Sequence, residues 1–97
     1  MGAFMIIQAE ITNLEQFMEY SKRAPALIEK YGGRYRCMRG AHVQLEGQPD
    51  SRKIVVSEWP SMEAAQAFWD SDEYQQLKAV REGAATIDVH LCEITGE

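Results

Sequence analysis

Glu58 is the side chain whose position most suggests chemistry, because it stands at the end of a predicted strand and shortly before Pro60. A carboxylate at such a corner could act as a general base or anchor a polar group of a ligand. It could equally accept hydrogen bonds from backbone donors, or pair with an arginine at a dimer interface. The residues leave both interpretations open, and Glu58 is the catalytic candidate of this chain.

Two further polar residues could act together with Glu58. If His90 and Arg36 share its face of a sheet, all three side chains lie toward one end of that sheet. Glu58 and His90 would still be two strands apart, about 10 Å along the hydrogen-bonding direction. A substrate would have to bridge them, so the arrangement favours ligand binding by His90 over a direct acid and base pair.

Four residues raise the question of a zinc site, namely Cys37, His42, His90 and Cys92. His90 and Cys92 alternate along one strand and would face the same side. The predicted sheet, however, places the strands of Cys37 and Cys92 at opposite edges, about 14 Å apart. Because zinc ligands lie about 2.0 to 2.3 Å from the metal, we predict no metal site. The two cysteines are interpreted as buried, reduced thiols.

The amino-acid composition limits the classes of protein to which this chain can belong. The chain has 97 residues, 45% of them hydrophobic, and a formal net charge of -5. These values predict one globular domain over residues 1–97 and argue against binding to polyanions. No apolar run approaches the about 18 residues of a membrane span, and no secretory signal precedes the first element, so a cytoplasmic protein is expected. A chain this short buries only about 60 to 65% of its unfolded surface, which favours a partner chain.

The first half of the chain predicts a strand and a helix. Apolar residues at every odd position of Ala3 to Ile11 indicate a strand with one buried face. The spacing of Thr12 and Glu15 is that of a capping box, so a helix should begin there and end at Gly32-Gly33. Pro25 lies inside that helix and predicts a kink or a break just before it.

The second half predicts two strands, a helical stretch and a final strand. A turn at Gly47 to Asp50 should join the two strands as a hairpin, and Gly40 could mark a bulge. The helical stretch should break at Ser71-Asp72, where acidic residues suit a new helix start. The predicted ranges are Arg34 to Glu46, Arg52 to Trp59, Met62 to Val80 and Thr86 to Ile94.

This order of elements predicts the α+β class and a ferredoxin-like βαββαβ sandwich. Its four-stranded antiparallel sheet would have the order 4-1-3-2, with the helices on one face. The other face would carry Phe4, Ile6, Met38 and part of the segment Ile54 to Val56. A face this apolar needs a cover, and the simplest cover is the same face of a second copy. We therefore predict a homodimer.

Several segments resemble a known family. They are Leu45 to Gly47 and Val56 to Gln75, with additional matches at Tyr31 to Arg34 and Arg39-Gly40. On these residues the chain resembles domain-of-unknown-function family 1330 over nearly its whole length. The resemblance implies a dimeric α/β barrel, in which two ferredoxin-like protomers pack sheet to sheet. No agreed activity comes with the family, and related branches include small monooxygenases, isomerases, haem-degrading enzymes and chlorite-type enzymes.

Three further residues match the family's pattern and carry polar groups that could orient a ligand: Arg39, Tyr74 and Arg81. No cofactor is expected, since neither histidine lies on a predicted helix that could supply an axial ligand to haem. Nucleic acid binding is not expected either. The ferredoxin-like topology is shared with the common RNA recognition module, but the third strand lacks its basic-glycine-aromatic signature.

We therefore expect a cytoplasmic homodimer that binds or transforms a small organic molecule, in the manner of a monooxygenase or isomerase. Glu58 would be the polar anchor, in a pocket between sheet and helices or at the dimer interface. The alternative is a non-catalytic ligand-binding or structural dimer, whose polar strand residues only fix the interface. Glu58→Gln separates the two, because an interface role predicts a weaker dimer and a ligand role does not.

Overall fold

The fold is a four-stranded antiparallel sheet with three helices packed on one face. The computed structural model describes residues 1–96. Its sheet order of β2-β3-β1-β4 confirms the predicted ferredoxin-like α+β fold. In this range, no helix is both long and apolar enough to cross a bilayer. The elements are β1 Ala3–Ile11, α1 Leu14–Lys30, β2 Arg34–Cys37, β3 Lys53–Trp59, α2 Met62–Asp70, α3 Asp72–Val80 and β4 Ala85–Glu93.

The alternation in β1 builds the core as predicted. Ala3, Met5 and Ala9 are buried against the helices, because successive side chains of a strand point to opposite faces. Trp59 and Phe68 form the aromatic centre, with ring centroids 4.8 Å apart. The helix-facing side of the sheet is therefore the main hydrophobic interface of the chain.

Helix α1 begins one residue later than a capping box would place it. Asn13 is the N-cap, and its side chain accepts a hydrogen bond from the Gln16 amide. The prediction for Thr12 was wrong, because its hydroxyl donates to the Ala84 carbonyl oxygen at 3.1 Å. The predicted break at Pro25 is also absent, since buried Ala24 and buried Ile28 hold the helix against the core before and after the proline.

Strand β2 ends at Cys37, so the predicted strand to Glu46 was too long. The bulge lies between Tyr35 and Cys37 and not at Gly40. Residues 38–52 form an exposed connection that is held by the Gln44 side chain. Its amide nitrogen donates to the carbonyl oxygens of Glu46 and Gln48, at 3.2 and 2.7 Å. The alternating pattern of this segment therefore belongs to a long loop that joins β2 to its antiparallel neighbour β3.

The bulge in β2 changes which side chains face the helices. Cys37 is paired with Val56 and points to the helix-free face, where Cys92 also lies. Both cysteines are exposed, so the prediction of buried thiols was wrong. Met38 and Val55, in contrast, lie on the helix side, where they line a cavity.

The predicted break between the last two helices is confirmed at Ser71. Its hydroxyl donates to the Phe68 carbonyl oxygen at 2.7 Å and accepts from the Tyr74 amide at 3.0 Å. Ser71 thus ends α2 and caps α3. Asp72 and Glu73 follow in the first turn of α3, where acidic side chains interact favourably with the helix dipole.

Candidate functional site

A cavity of about 90 Å³ lies between the helix-facing side of the sheet and helices α1 and α3. It is smaller than the roughly 150 Å³ cavity that accepts benzene in another protein. Phe17 and Ser21 of α1 and Phe68 of α2 contribute to its walls. The sheet contributes a set of apolar side chains: Met5, Ile7, Ala9, Ile11, Val55, Ile87 and Val89.

Three polar side chains form a continuous chain in this cavity. The hydroxyl oxygens of Tyr20 and Tyr74 are 3.0 Å apart, and Arg81 Nη2 donates to the Tyr74 hydroxyl at 3.3 Å. The Arg81 guanidinium carbon also lies 5.2 Å from the centroid of the Tyr20 ring. We call Tyr20, Tyr74 and Arg81 the phenol–guanidinium cluster.

The ends of helix α3 position two members of this cluster. Ser71 caps the helix, and its contact with the Tyr74 amide fixes the first turn. Arg81 is the C-cap, seven residues after Tyr74, so both side chains project from the same face of the helix. A turn follows at once, in which the Ala84 amide donates to the Arg81 carbonyl oxygen at 3.0 Å.

Arg81 is buried, and no countercharge for it lies among residues 1–96. Only 9% of the residue is exposed, and its Nε has no hydrogen-bond partner. Arg81 takes part in none of the ion pairs among residues 1–96. Burying a charge that lacks a partner costs folding free energy. We therefore expect Arg81 to have a functional role.

The Tyr20 and Tyr35 phenols of the cavity are neutral at physiological pH. Burial, reinforced by the neighbouring Tyr74 phenol, raises the pKa of Tyr20 well above its ordinary value. Burial likewise raises the pKa of Tyr35, another wall residue, to about 12. For Arg81, burial is the largest influence and disfavours the charged form, but the hydrogen bond to Tyr74 and the other interactions with Tyr74 and Tyr20 together outweigh it, and the pKa is raised. The cluster therefore presents hydroxyl donors next to a permanent positive charge.

Glu58 and His90 lie on the opposite, helix-free face of the sheet. Glu58 is paired with Phe4 in the ladder and His90 with Ile6, so they share a face, which the sequence left open. They stand two strands apart, as the predicted strand order requires. The Glu58 carboxylate oxygen Oε1 lies 3.5 Å from Arg34 Nη2 and 3.6 Å from Arg36 Nε. Pairing with arginine was the non-catalytic alternative for Glu58 in the sequence analysis, and the structure contains such a pairing.

The sheet thus divides the candidates into two groups. Tyr74 and Arg81 meet in the cavity, whereas Glu58 and His90 lie behind the sheet, and Glu58 is not an anchor for a ligand in that cavity. Arg39 belongs to neither group. It is exposed in the loop after β2 with a φ of 64°, although Met38 beside it is a wall residue of the cavity.

The four residues considered for zinc do not form a cluster. Among residues 1–96, no three His, Cys, Asp or Glu side chains are close enough to hold a metal ion. Cys37 and Cys92 lie on β2 and β4, the two edge strands. His42 lies in the exposed loop and His90 on the helix-free face, so neither histidine is a wall residue of the cavity.

Sequence reasoning missed Tyr20, although a signal for it was present. In the helix that is predicted to begin after Thr12, Tyr20 lies three residues after the apolar Phe17 and therefore on the same face. Lys53 was also missed as a wall residue, because the segment Lys53–Trp59 has too little alternation for its faces to be assigned.

Solved structures share this fold at low sequence identity. A protein of unknown function from Rhodopseudomonas palustris has a TM-score of 0.77 and 14% identity, covering 99% of this chain and 84% of that one. SnoaB, a cofactor-independent oxygenase from Streptomyces nogalater, has a TM-score of 0.73 and 12% identity, covering 99% and 95%. MhuD, a heme-degrader from Mycobacterium tuberculosis with two hemes bound in its active site, has a TM-score of 0.59 and 22% identity, covering 98% and 97%. At these identities the likeness shows the fold alone.

The sequence itself matches one family. Among curated proteins, no sequence matches this chain. The family described as Domain of unknown function (DUF1330) matches residues 2–95, which is nearly the whole chain. This match agrees with the resemblance seen in the segment around Glu58 and with the ferredoxin-like sheet. The chain belongs to the DUF1330 family.

Proposed function

We propose that this protein binds and transforms a small organic molecule in the cavity between the sheet and helices α1 and α3. The observation that carries the proposal is the concentration of polar groups at one place in an otherwise apolar cavity. Ligand sites typically combine apolar walls with a few convergent polar groups that fix the orientation of the ligand. Tyr74 and Arg81 are the ligand-binding residues of this proposal, together with Tyr20.

The chemistry that suits the cluster is stabilisation of negative charge on an oxygen atom. Neutral phenols and a guanidinium are preorganised donors, and such donors lower the barrier of steps in which an oxyanion develops. Oxygenation and isomerisation of an activated carbon both pass through such a charge. SnoaB, which has the same fold, is an oxygenase that uses no cofactor, and this supports a monooxygenase-like or isomerase-like reaction without a cofactor.

Haem does not fit this cavity. MhuD binds hemes in its active site, but its likeness to this chain extends to the fold alone. Here the cavity measures about 90 Å³, and none of its wall residues is a histidine that could bind the iron.

The helix-free face supports a homodimer that pairs sheet against sheet. Its centre is apolar, with Phe4, Ile6, Ile54 and Val56 on neighbouring strands, and a second copy of the same face would cover it. Glu58 and its two arginines lie at one end of this face. In such a dimer Glu58 fixes the interface, and His90 and Arg39 could contact a ligand only at the seam between protomers.

A cytoplasmic location agrees with the state of the thiols. Cys37 and Cys92 are both free and exposed, which suits a reducing compartment. The second candidate function is a non-catalytic ligand-binding dimer. The ion pairs of Glu58 favour it over a reaction at that residue, because the carboxylate is already engaged by Arg34 and Arg36.

A pair of variants at Ser21 tests the proposed cavity site. Ser21 lines the cavity from helix α1, so Ser21→Leu fills it with a side chain that helices accept, and Ser21→Ala leaves it open. A library of small organic molecules is screened by ligand-observed NMR against the wild type and both variants. We expect hits that bind the wild type and Ser21→Ala but not Ser21→Leu. If every hit binds Ser21→Leu equally well, the cavity is not the site.

A further inference from the structure

We infer that the ligand of this cavity carries an anionic oxygen group, as a carboxylate or an enolate does, and that this group pairs with Arg81. The inference rests on the proposed function and names the class of molecule that the cavity takes. It is argued from the unpaired guanidinium, from the charges of the wall residues and from the size of the cavity.

The buried guanidinium of Arg81 has no anionic partner within residues 1–96. Arg81 is nine-tenths buried, its Nε lacks a partner, and it is a wall residue of the cavity. Buried arginines are usually paired with a carboxylate, because the planar guanidinium donates two parallel hydrogen bonds to it. Within residues 1–96 that carboxylate is missing. A ligand oxyanion would supply both the countercharge and the acceptor.

The second argument is the sign of the charges around the cavity. Its charged wall residues are Lys53 and Arg81, and no aspartate or glutamate is among its wall residues. The chain as a whole has a net charge of -5, so a site with only positive charges stands out against the acidic background. Such a site concentrates anions and disfavours cations.

The third argument is the hydroxyl pair beside the guanidinium. The Tyr74 oxygen accepts from Arg81, so the Tyr74 hydrogen is free to be donated to Tyr20. The Tyr20 hydrogen is then available to a ligand oxygen at the same end of the cavity. An anionic oxygen would therefore meet a charged donor and a neutral donor together, which is stronger than either alone.

The size and the remaining walls limit the rest of the ligand. Beyond the cluster the walls are mostly apolar, so the body of the ligand is apolar too. The cavity of about 90 Å³ is smaller than the cavity of about 150 Å³ that accepts benzene in another protein, so the ligand is expected to be small. We therefore choose propionate, a short carboxylate, as the probe. Its neutral isostere propionamide is the matched control.

The experiment is a titration of ¹⁵N-labelled full-length protein followed by NMR. We expect propionate to shift the Arg81 Nε–H resonance and the amides of the cavity walls, and propionamide to bind at least about tenfold more weakly. Arg81→Met, which keeps the length and removes the charge, should weaken propionate binding at least about tenfold. Arg81→Lys, which keeps the charge but not the planar donor pair, should give an intermediate loss.

Each contrary result has its own meaning. Equal affinity for propionamide and propionate, or undiminished propionate binding by Arg81→Met, overturns the inference. Propionate binding that survives in Ser21→Leu also overturns it, because the anion then binds outside the cavity. If neutral molecules bind in the cavity and propionate does not, the inference fails while the proposed function stands. If Arg81→Met does not fold, propionate binding is measured in Arg81→Lys and Tyr20→Phe instead. Undiminished propionate affinity in both of these variants overturns the inference.

Discussion

Arg81 donates a hydrogen bond of 3.3 Å to the hydroxyl of Tyr74, two helical turns earlier on α3, and has no carboxylate partner within residues 1–96. The two residues mark the start and the end of one short helix, and both face the same cavity. The position of the charge is therefore set by the length of α3. Four predictions concern this charge, the opposite face of the sheet, the packing of the core and the long loop.

Arg81→Met should not lower the stability of the protein. Replacing a buried charge that lacks a partner by an apolar side chain of similar length is neutral or stabilising, by about 1 kcal/mol or more. The loss of the hydrogen bond to Tyr74 offsets part of this gain. Urea denaturation of the wild type and the variant measures the difference in the free energy of unfolding. A loss of more than about 2 kcal/mol would mean that Arg81 is needed for the fold rather than for a ligand.

Glu58→Gln should weaken the proposed dimer and leave ligand binding in the cavity unchanged. Glu58 faces Arg34 and Arg36 on the helix-free side, and removing its charge leaves two arginines of each copy without their countercharge at the proposed interface. Exposed ion pairs are worth about 0.2 to 1 kcal/mol each, so we expect a dimer dissociation constant several-fold higher. Sedimentation equilibrium measures it. The control is Glu63→Gln, an exposed position on α2 on the other side of the sheet. Lost ligand binding with an intact dimer would contradict the interface role.

Gly33→Ala should destabilise the protein through a direct clash. A Cβ atom at this position would lie 2.8 Å from three ring atoms of Trp59, which is buried at the centre of the core. The ring has no room to move, so we expect a loss of about 1 to 3 kcal/mol in the free energy of unfolding. Gly40→Ala is the matched control, because nothing lies within 4 Å of its added Cβ. Equal stability of the two variants in urea would refute this account of the core.

The long loop should lose stabilisation in acid. Hydrogen bonds from the Arg52 side chain lower the pKa of Asp50 from an ordinary 3.8 to about 2. Because the folded pKa is lower than the unfolded one, the contribution is present above about pH 4 and lost as the pH falls toward 2. Arg52 also donates to Asp88 of β4 at 2.7 Å, so it ties the loop to the sheet. We expect the Tm difference between the wild type and Asp50→Asn to shrink between pH 5 and pH 2. A constant difference would show that Asp50 does not act through its charge.

Local sequence patterns predicted the structure correctly wherever the conformation of an element depends only on its own residues. The odd-numbered apolar residues of Ala3–Ile11 predicted β1 and its buried face, because a strand alternates regardless of its neighbours. The break at Ser71 was equally local, since a hydroxyl before two acidic residues caps a helix by itself. The same kind of pattern failed after Cys37, where the backbone turns into a loop and the Gln44 side chain supplies hydrogen bonds.

The sequence by itself determined the order of elements, the strand order and the family, and it named Tyr74, Arg81, Glu58 and His90 as polar candidates. Only the tertiary structure decided that the sheet separates the first two from the last two. The reason is physical. The face of a strand residue depends on its register with neighbouring strands, and a single bulge in β2 changes it. That no carboxylate of the described residues pairs with Arg81 likewise depends on which distant elements pack together, and no local pattern encodes that.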